Sequence, residues 1–179
     1  MKDIRLFLTD VDGCLTDGGM YYTADGSELK KFCVYDGMGI VRMRQKGIRC
    51  GILTSENTSI VLHRARKLCL DYLYMGVGRV VDKAVVHRYS PATAEEVSLP
   101  AQSKKAAAET IAKELGVSLE QVCYVGDDVN DIDLLEAVGM AACPKNAVPQ
   151  VKNIPGILHL QCNGGEGAIR EVSELILNE

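Results

Sequence analysis

Short apolar runs alternate along the chain with stretches whose apolar spacing is helical. The apolar runs predict buried strands at residues 4–10, 48–54, 71–76, 121–127, 139–144 and 156–161. Helices are predicted at residues 37–46, 104–115, 131–138 and 166–177. This alternation predicts an α/β domain in which helices cover both faces of a doubly wound parallel sheet.

Capping residues and glycines set the ends of two of these helices. Asp36 is predicted to cap the first, which ends at Gly47. Ser103 is predicted to cap the second, which ends at Gly116. Each helix then lies between two strands, as the crossovers of a parallel sheet require.

Two segments depart from the alternation. Residues 18–34 predict a β-hairpin with its turn at residues 24–26. Residues 77–102 contain two prolines and no sustained period, so they are predicted to form either a functional flap or a partly disordered connection. No repeat or linker divides the chain, and a single domain over residues 1–179 is expected.

Two carboxylates directly follow the first predicted strand. Because side chains alternate along a strand, Asp10 and Asp12 share one face, where two negative charges are unfavourable unless they are compensated. Ligands of doubly wound sheets gather beyond the carboxyl ends of the strands. The pattern therefore predicts a divalent cation at this edge of the sheet.

Four signals occur in order along the chain, and each suits one task in phosphoryl transfer. A carboxylate such as Asp10 can attack phosphorus, and one such as Asp12 can protonate the leaving oxygen and later take a proton from water. The hydroxyl of Thr54 and the ammonium of Lys104 can hold phosphoryl oxygens. The acidic segment 126–131 offers oxygen ligands to a hard cation, for which Mg²⁺ fits best.

The composition argues against several other classes. A net charge of −4, a pI near 5.5 and scattered Lys and Arg argue against a nucleic-acid partner. The seven cysteines lie far apart without a C-x-x-C pair, which indicates reduced thiols. There is no charged leader before an apolar run, and no apolar stretch approaches the roughly 20 residues of a membrane helix. We therefore expect a soluble cytoplasmic protein without a membrane partner.

The segments "DVDGCLT", "ILTSE" and "YVGDDVND", together with Lys104, resemble the four signatures of the haloacid dehalogenase-type phosphohydrolases. The resemblance implies a Rossmann-like sheet and an aspartyl-phosphate intermediate. It implies that Asp10 is the nucleophile and a metal ligand, and that Asp12 is the general acid/base whose backbone carbonyl reaches the metal. Thr54 and Lys104 would anchor the phosphoryl group, and Asp127 would bind Mg²⁺.

The similarity extends beyond these signatures. The segments "DGSELKKFCVYDGMGI", "YVGDDVNDIDLLEAVG" and "GGEGAIREV" resemble the subfamily of 3-deoxy-D-manno-octulosonate 8-phosphate (Kdo-8-phosphate) phosphatases. This resemblance implies a homotetramer without a cap domain, in which a neighbouring subunit helps to close the active site. Asp10 and Thr54 are only 44 residues apart, which leaves no room for a helical cap. Asp128 and Asp131 would support the site indirectly or through water.

The segment 77–102 leaves two candidates for the phosphate-binding lysine. Lys104 lies 23 residues before Asp127 and begins a helix that fits between them, much as the family spacing implies. Lys83 also resembles the local pattern of relatives. We prefer Lys104.

Other positions depart from the octulosonate enzymes. Ser55 and Glu56 stand where these usually have Gly-Arg, and Glu166 replaces an Arg near the end of the chain. With Lys67, these features resemble the branch that acts on nine-carbon acids such as 2-keto-3-deoxynononate (Kdn) 9-phosphate. Glu56 would bind a sugar hydroxyl, and Arg64 or Lys67 the substrate carboxylate.

Two other function classes remain open from the sequence. One is a receiver-like phospho-acceptor module, against which the order of the motifs argues. The other is a noncatalytic oligomerisation domain of a sugar-activating system, against which the retained Asp10, Asp12, Thr54 and Asp127 argue. The loop of Gly164, Gly165 and Gly167 is expected to approach the active site, and Asp36 to face the pocket.

Overall fold

The computed structural model describes residues 3–78, 85–90, 95–100 and 102–178. Its strands are β1 (Leu6–Thr9), β2 (Tyr21–Tyr22), β3 (Glu28–Leu29), β4 (Arg49–Thr54), β5 (Tyr72–Met75), β6 (Val85–Tyr89), β7 (Glu96–Pro100), β8 (Val122–Val125), β9 (Met140–Cys143) and β10 (Leu158–His159). Its α-helices are α1 (Val34–Gln45), α2 (Ser59–Lys67), α3 (Lys104–Leu115), α4 (Ile132–Leu135), α5 (Pro149–Lys152) and α6 (Ala168–Leu177).

Among the described residues, eight strands form one sheet in the order β10-β9-β8-β1-β4-β5-β6-β7. The six strands from β10 to β5 are parallel, with Leu6 of β1 opposite both Arg49 of β4 and Val122 of β8. The chain winds from β1 to one side through β4 and β5, and later to the other side through β8 and β9. The carboxyl end of β1 is therefore a switch point, where such sheets bind ligands.

Successive side chains of the central strands point to opposite faces of the sheet and pack into two separate hydrophobic cores. Phe7 of β1 packs on the side covered by α1, α2 and α6. Leu6 and Leu8 pack on the opposite side, covered by α3, α4 and α5. The doubly wound α/β fold predicted from the apolar runs is therefore confirmed.

The segment 77–102 contains two strands that were not predicted from the sequence. Within its described part, β6 and β7 pair antiparallel and extend the sheet beyond β5. Arg88 anchors this addition, because its guanidinium lies over the Tyr74 ring at 5.5 Å and pairs with Glu114 at 2.7 Å. The sheet is consequently mixed rather than wholly parallel.

The first helix begins earlier than predicted, and this changes the role of Asp36. The N-cap residue of α1 is Cys33, so Asp36 lies in the first turn and does not cap that helix. It is fully buried and accepts hydrogen bonds from the N–H groups of Gly167 (3.3 Å) and Arg170 (2.9 Å). Asp36 therefore caps α6, a helix distant in the chain.

The hairpin between β1 and α1 has short strands, β2 and β3, with Tyr21 opposite Leu29. It projects from the sheet, and no cap domain separates β1 from β4 in the described chain. Across those same residues, no helix is both long and apolar enough to span a membrane.

Candidate active site

Three neighbouring strands deliver acidic and hydroxyl side chains to one edge of the sheet. Asp10 follows β1, Thr54 ends β4 and Asp127 follows β8, and these strands are adjacent and parallel. The Asp10 N–H donates to the carbonyl of Val125 at 3.0 Å, which fixes the start of the loop. The order of the strands in the sheet thus brings together the residues that were predicted to lie at strand ends.

A buried cation joins two of the carboxylates. The Lys104 Nζ lies 2.7 Å from Asp10 Oδ2 and 2.7 Å from Asp131 Oδ1. Its side chain is only 1% exposed. Burial by itself lowers the pKa of Lys104, but the two carboxylates outweigh it and raise the pKa above the ordinary value. Lys104 therefore stays charged. The alternative, Lys83, lies outside the described residues.

Asp131 is held on every side by hydrogen bonds. Besides Lys104, its Oδ1 accepts from the Tyr124 hydroxyl at 2.5 Å. Its Oδ2 accepts from the N–H groups of Asp127 (3.0 Å) and Asp128 (3.2 Å). Four donors use the lone pairs of the carboxylate, so Asp131 orients the acidic loop and the lysine.

Asp127 lies against the loop that follows β1. Gly13 has φ +78°, and a Cβ there would lie 2.0 Å from Asp127 Oδ2, so a side chain at Gly13 is excluded. Burial, followed by the charges of Asp10 and Asp131, raises the pKa of Asp127 to about 7. Burial likewise raises the pKa of Asp10 to about 6, against the opposing effect of Lys104. Ionisation of both carboxyl groups is therefore less favourable in this site than in water.

Carboxylate oxygens of Asp10, Asp127 and Asp131 lie within 4.8 Å of one another. Oxygen donors and an excess of negative charge at one place fit a hard divalent ion. Asp131 already accepts four hydrogen bonds, so Asp10 and Asp127 are the side chains most free to bind one. The Asp12 carboxylate is not part of this cluster, and a metal-binding role for Asp12 would use its backbone carbonyl.

The Asp12 carboxylate pairs instead with the hairpin. The Lys30 Nζ lies 2.7 Å from Asp12 Oδ1, and the Thr16 hydroxyl donates to the same oxygen at 3.4 Å. Lys30 also lies 3.1 Å from a carboxylate oxygen of Glu28. Asp12 is thus fixed by a contact that the sequence gave no means to foresee.

A cleft of about 310 Å³ opens beside these carboxylates. Thr54, Ser55 and Glu56 line it from the β4 side, facing Asp10 and Asp12. The Thr54 Oγ1 accepts from the Glu56 N–H at 3.1 Å, which leaves the hydroxyl hydrogen free to donate. The described residues that line it are all polar or glycine: Asp10, Asp12, Gly13, Gly18, Thr54, Ser55, Glu56, Asp127, Asp128, Asn130 and Asn146.

Two predicted substrate-binding cations lie away from this cleft. Arg64 packs over the Phe32 ring at 5.2 Å and donates to the Cys33 carbonyl at 3.1 Å. Lys67 is exposed at the end of α2. Neither lines the cleft of its own chain. Asp36 of α1, expected to face the pocket, is buried and directs its hydrogen bonds to the start of α6 instead.

The C-terminal glycine loop supports the catalytic loop. A Cβ at Gly164 would lie 1.9 Å from the Gly13 carbonyl oxygen. Asn146 bridges the two segments, because its amide donates to that carbonyl at 2.9 Å and accepts from the Gly164 N–H at 2.7 Å. Glu166 lies outside this contact and pairs with Lys31 at 3.3 Å.

Lys30, Tyr124 and Asn146 were missed by sequence reasoning. Of these three, only Tyr124 could have been suspected from the sequence, since the hydroxyl of a tyrosine in a buried strand usually has a hydrogen-bond partner. Lys30 and Asn146 lie in a hairpin and a loop, whose direction no periodicity predicts.

Comparison with known proteins shows the family of the chain. The family described as haloacid dehalogenase-like hydrolase matches residues 79–158. A 3-deoxy-D-manno-octulosonate 8-phosphate phosphatase of Haemophilus influenzae is 30% identical over 177 residues, which are 99% of this chain and 84% of the relative. The chain belongs to the haloacid dehalogenase-like phosphatases.

Solved structures of this family share the fold. The Kdo-8-phosphate phosphatase of Moraxella catarrhalis, in complex with magnesium, phosphate and Kdo, superposes with a TM-score of 0.82 at 31% identity and covers 99% of this chain and 87% of its own. A cobalt-bound deoxy-D-mannose-octulosonate 8-phosphate phosphatase of Haemophilus influenzae gives a TM-score of 0.80 at 31% identity, covering 98% of this chain and 88% of its own. We therefore conclude that this chain is a phosphatase and not a receiver-like module or a noncatalytic oligomerisation domain.

Proposed function

We propose that this phosphatase removes the terminal phosphate of a 2-keto-3-deoxy sugar acid, through an aspartyl-phosphate formed on Asp10. The observation that supports it most directly is that Asp10 and Thr54 line one cleft, with the buried Lys104 bound to Asp10 at 2.7 Å. Relatives of this fold are Kdo-8-phosphate phosphatases, and one is solved with magnesium, phosphate and Kdo.

In the first step, an Asp10 oxygen attacks phosphorus while the ester P–O bond breaks. The Asp10 Oδ1 accepts from the Val11 N–H at 2.7 Å and its Oδ2 contacts Lys104, which holds the carboxylate in one orientation. Thr54 donates its free hydroxyl hydrogen to a phosphoryl oxygen, and Lys104 supplies positive charge beside it. Asp12 gives its proton to the leaving oxygen.

In the second step, water attacks the phosphoryl group on Asp10. Asp12, now a carboxylate, takes the proton from that water, and inorganic phosphate leaves. Asp12 suits both steps because it lines the cleft two residues after the nucleophile. The reaction therefore needs one carboxylate to attack and one to move protons.

Mg²⁺ would be held by Asp10, Asp127 and the Asp12 carbonyl, and would neutralise charge on the phosphoryl oxygens. The raised pKa values of Asp10 and Asp127 support this assignment, since both carboxylates gain from a neighbouring cation.

Glu56 is the residue that we assign to sugar recognition. It lines the cleft beside Thr54, and its carboxylate can accept hydrogen bonds from sugar hydroxyls. A nine-carbon acid such as Kdn-9-phosphate offers more hydroxyl groups than Kdo-8-phosphate. Ser55 is less available, because its Oγ donates to the Val77 carbonyl at 2.9 Å and accepts from the Asn130 amide at 3.0 Å.

A homotetramer is proposed to complete the site. Large exposed apolar side chains concentrate on the hairpin and the first turns of α1: Met20, Tyr21, Tyr22, Leu29, Val34, Tyr35 and Met38. Such a concentration is typical of a protein interface. None of the described residues that line the cleft is Lys or Arg. A cation of a neighbouring copy would bind the substrate carboxylate in this assembly. Arg64 and Lys67 would serve a neighbouring copy.

A phosphate-release screen tests the proposal. Wild-type protein is assayed with Kdo-8-phosphate, Kdn-9-phosphate and unrelated sugar phosphates, with Mg²⁺ and with a chelator. We expect Mg²⁺-dependent turnover, highest for a sugar acid, and no turnover by Asp10→Asn with an unchanged circular dichroism spectrum. Glu56→Gln should lower kcat/KM for the preferred sugar acid more than for p-nitrophenyl phosphate. Normal phosphate release by Asp10→Asn would refute the assigned nucleophile, and a fully active monomer in sedimentation would refute the shared site.

A further inference from the structure

Lys30 is the hairpin residue that reaches the active-site loop. It directly follows β3, and its side chain is only 5% exposed. Burying an ammonium group costs hydration and side-chain entropy, so it must be offset by specific partners. Those partners are Asp12 Oδ1 at 2.7 Å and Glu28 Oε1 at 3.1 Å.

The contact is made to one oxygen of Asp12 only. The Thr16 hydroxyl also donates to Oδ1, at 3.4 Å, and Thr16 is itself bridged to Phe32, two residues beyond Lys30. Within the described chain, both hydrogen bonds to this carboxylate fall on Oδ1. Oδ2 accepts no hydrogen bond from the described residues and is therefore the oxygen available to the leaving group.

We propose that Lys30 is a positioning residue that holds Asp12 for proton transfer to the leaving oxygen. The inference rests on the proposed function, in which Asp12 is the acid. With Oδ1 fixed, the proton on Oδ2 passes to the ester oxygen as the P–O bond breaks and the Asp10–phosphorus bond forms. Lys30 does not touch the reacting atoms and acts only through Asp12.

This role has a consequence that a purely structural role lacks. Proton donation matters for an alkyl phosphate, whose alkoxide is a poor leaving group, and matters little for p-nitrophenyl phosphate, whose phenolate leaves unprotonated. Loss of Lys30 should therefore lower kcat/KM more for an alkyl phosphate than for p-nitrophenyl phosphate. A hairpin that merely becomes loose would slow both alike.

The experiment compares kcat/KM of Lys30→Met for glycerol 2-phosphate, the preferred sugar acid phosphate and p-nitrophenyl phosphate, with saturating Mg²⁺. The value of kcat/KM depends on the steps up to phosphoryl transfer to Asp10 and not on the later hydrolysis of the aspartyl-phosphate. We expect a loss of about 10- to 100-fold for the alkyl esters, part of the 10²–10⁴ that proton transfer contributes, and a loss below about threefold for p-nitrophenyl phosphate.

Three further variants give the controls. Glu28→Gln removes the other partner of Lys30 and should leave the substrate ratio unchanged. Lys30→Arg keeps the charge and should recover part of the alkyl-ester activity. In an Asp12→Asn background, Lys30→Met should have no further effect on alkyl esters, because both act on the same proton transfer.

Two outcomes overturn the proposal. Equal losses for all substrates would make Lys30 a structural residue, and a rise in KM for the sugar acid alone would make it a substrate contact. If wild-type protein releases phosphate from glycerol 2-phosphate but from neither sugar acid, the proposed substrate class fails. The comparison between glycerol 2-phosphate and p-nitrophenyl phosphate still decides the role of Lys30 in that case.

Discussion

Asp36 and Arg170 are 134 residues apart in the chain, and the Asp36 Oδ1 accepts a hydrogen bond from the Arg170 N–H at 2.9 Å. The N-cap residue of α6 is Gly167, which has no side chain to satisfy the first N–H groups of that helix. Asp36, from α1, supplies the missing acceptor. The packing of α1 on α6 and the start of the C-terminal helix are therefore stabilised by one carboxylate.

Replacement of Asp36 tests this cap. Asp36→Ala should lower the free energy of unfolding by about 1–2 kcal/mol, because the N–H groups of Gly167 and Arg170 lose their acceptor. Asp36→Asn retains an acceptor oxygen and should cost less. The urea midpoint at an unchanged m-value measures the difference. An Ala variant as stable as wild type would show that the cap contributes nothing.

Replacement of Lys104 should be more severe. Lys104→Met leaves Asp10 and Asp131 buried without their cation, and breaking a buried pair costs about 3–5 kcal/mol. Phosphate release should fall to background, while Lys83→Met should remain active. Turnover and unfolding midpoints are measured for both variants. A severe loss of activity for Lys83→Met alone would assign the phosphate anchor to Lys83.

The removal of metal should change how stability depends on pH. In the metal-free protein, the pKa values of Asp127 (about 7) and Asp10 (about 6) exceed the ordinary 3.8, so the folded state binds protons more tightly than the unfolded chain. Their contribution to stability is therefore largest at low pH and is lost as pH rises through about 4 to 7. Mg²⁺ competes with these protons and should raise Tm more at pH 8 than at pH 5.

Thermal unfolding with Mg²⁺ and with a chelator, at both pH values, measures this effect. Asp127→Asn is the control, because it removes a carboxylate whose pKa is raised to about 7 and should reduce the Mg²⁺ shift at pH 8. Equal Mg²⁺ shifts at pH 5 and pH 8 in the wild-type protein would contradict the linkage.

Tyr124 and Tyr74 form a matched pair for testing the hydrogen bond to Asp131. Both tyrosines are fully buried, but only the Tyr124 hydroxyl has an acceptor, whereas that of Tyr74 has none among the described residues. Tyr124→Phe should cost about 1.5–3 kcal/mol of stability, as for a hydrogen bond to a charged group, and should lower kcat. Tyr74→Phe should be neutral or stabilising. If Tyr124→Phe and Tyr74→Phe changed the free energy of unfolding and kcat by the same amount, the hydrogen bond from Tyr124 would not stabilise Asp131.

The sequence by itself determined the layered fold and the place of the principal acidic residues. Strand periodicity and helix spacing are local properties, so they indicated that Asp10, Thr54 and Asp127 follow parallel strands. The order of these residues along the chain was enough to predict phosphoryl transfer. The family relationship agrees with that prediction.

Only the tertiary structure decided which partners hold those residues in place. Lys30 contacts Asp12 from the hairpin, and Asp36 caps α6 rather than its own helix. The segment 77–102 adds two strands at the sheet edge, where side-chain periodicity is weak because much of the surface is exposed. A hydrogen bond between distant residues depends on how the chain packs, and no local pattern of apolar and polar positions encodes it.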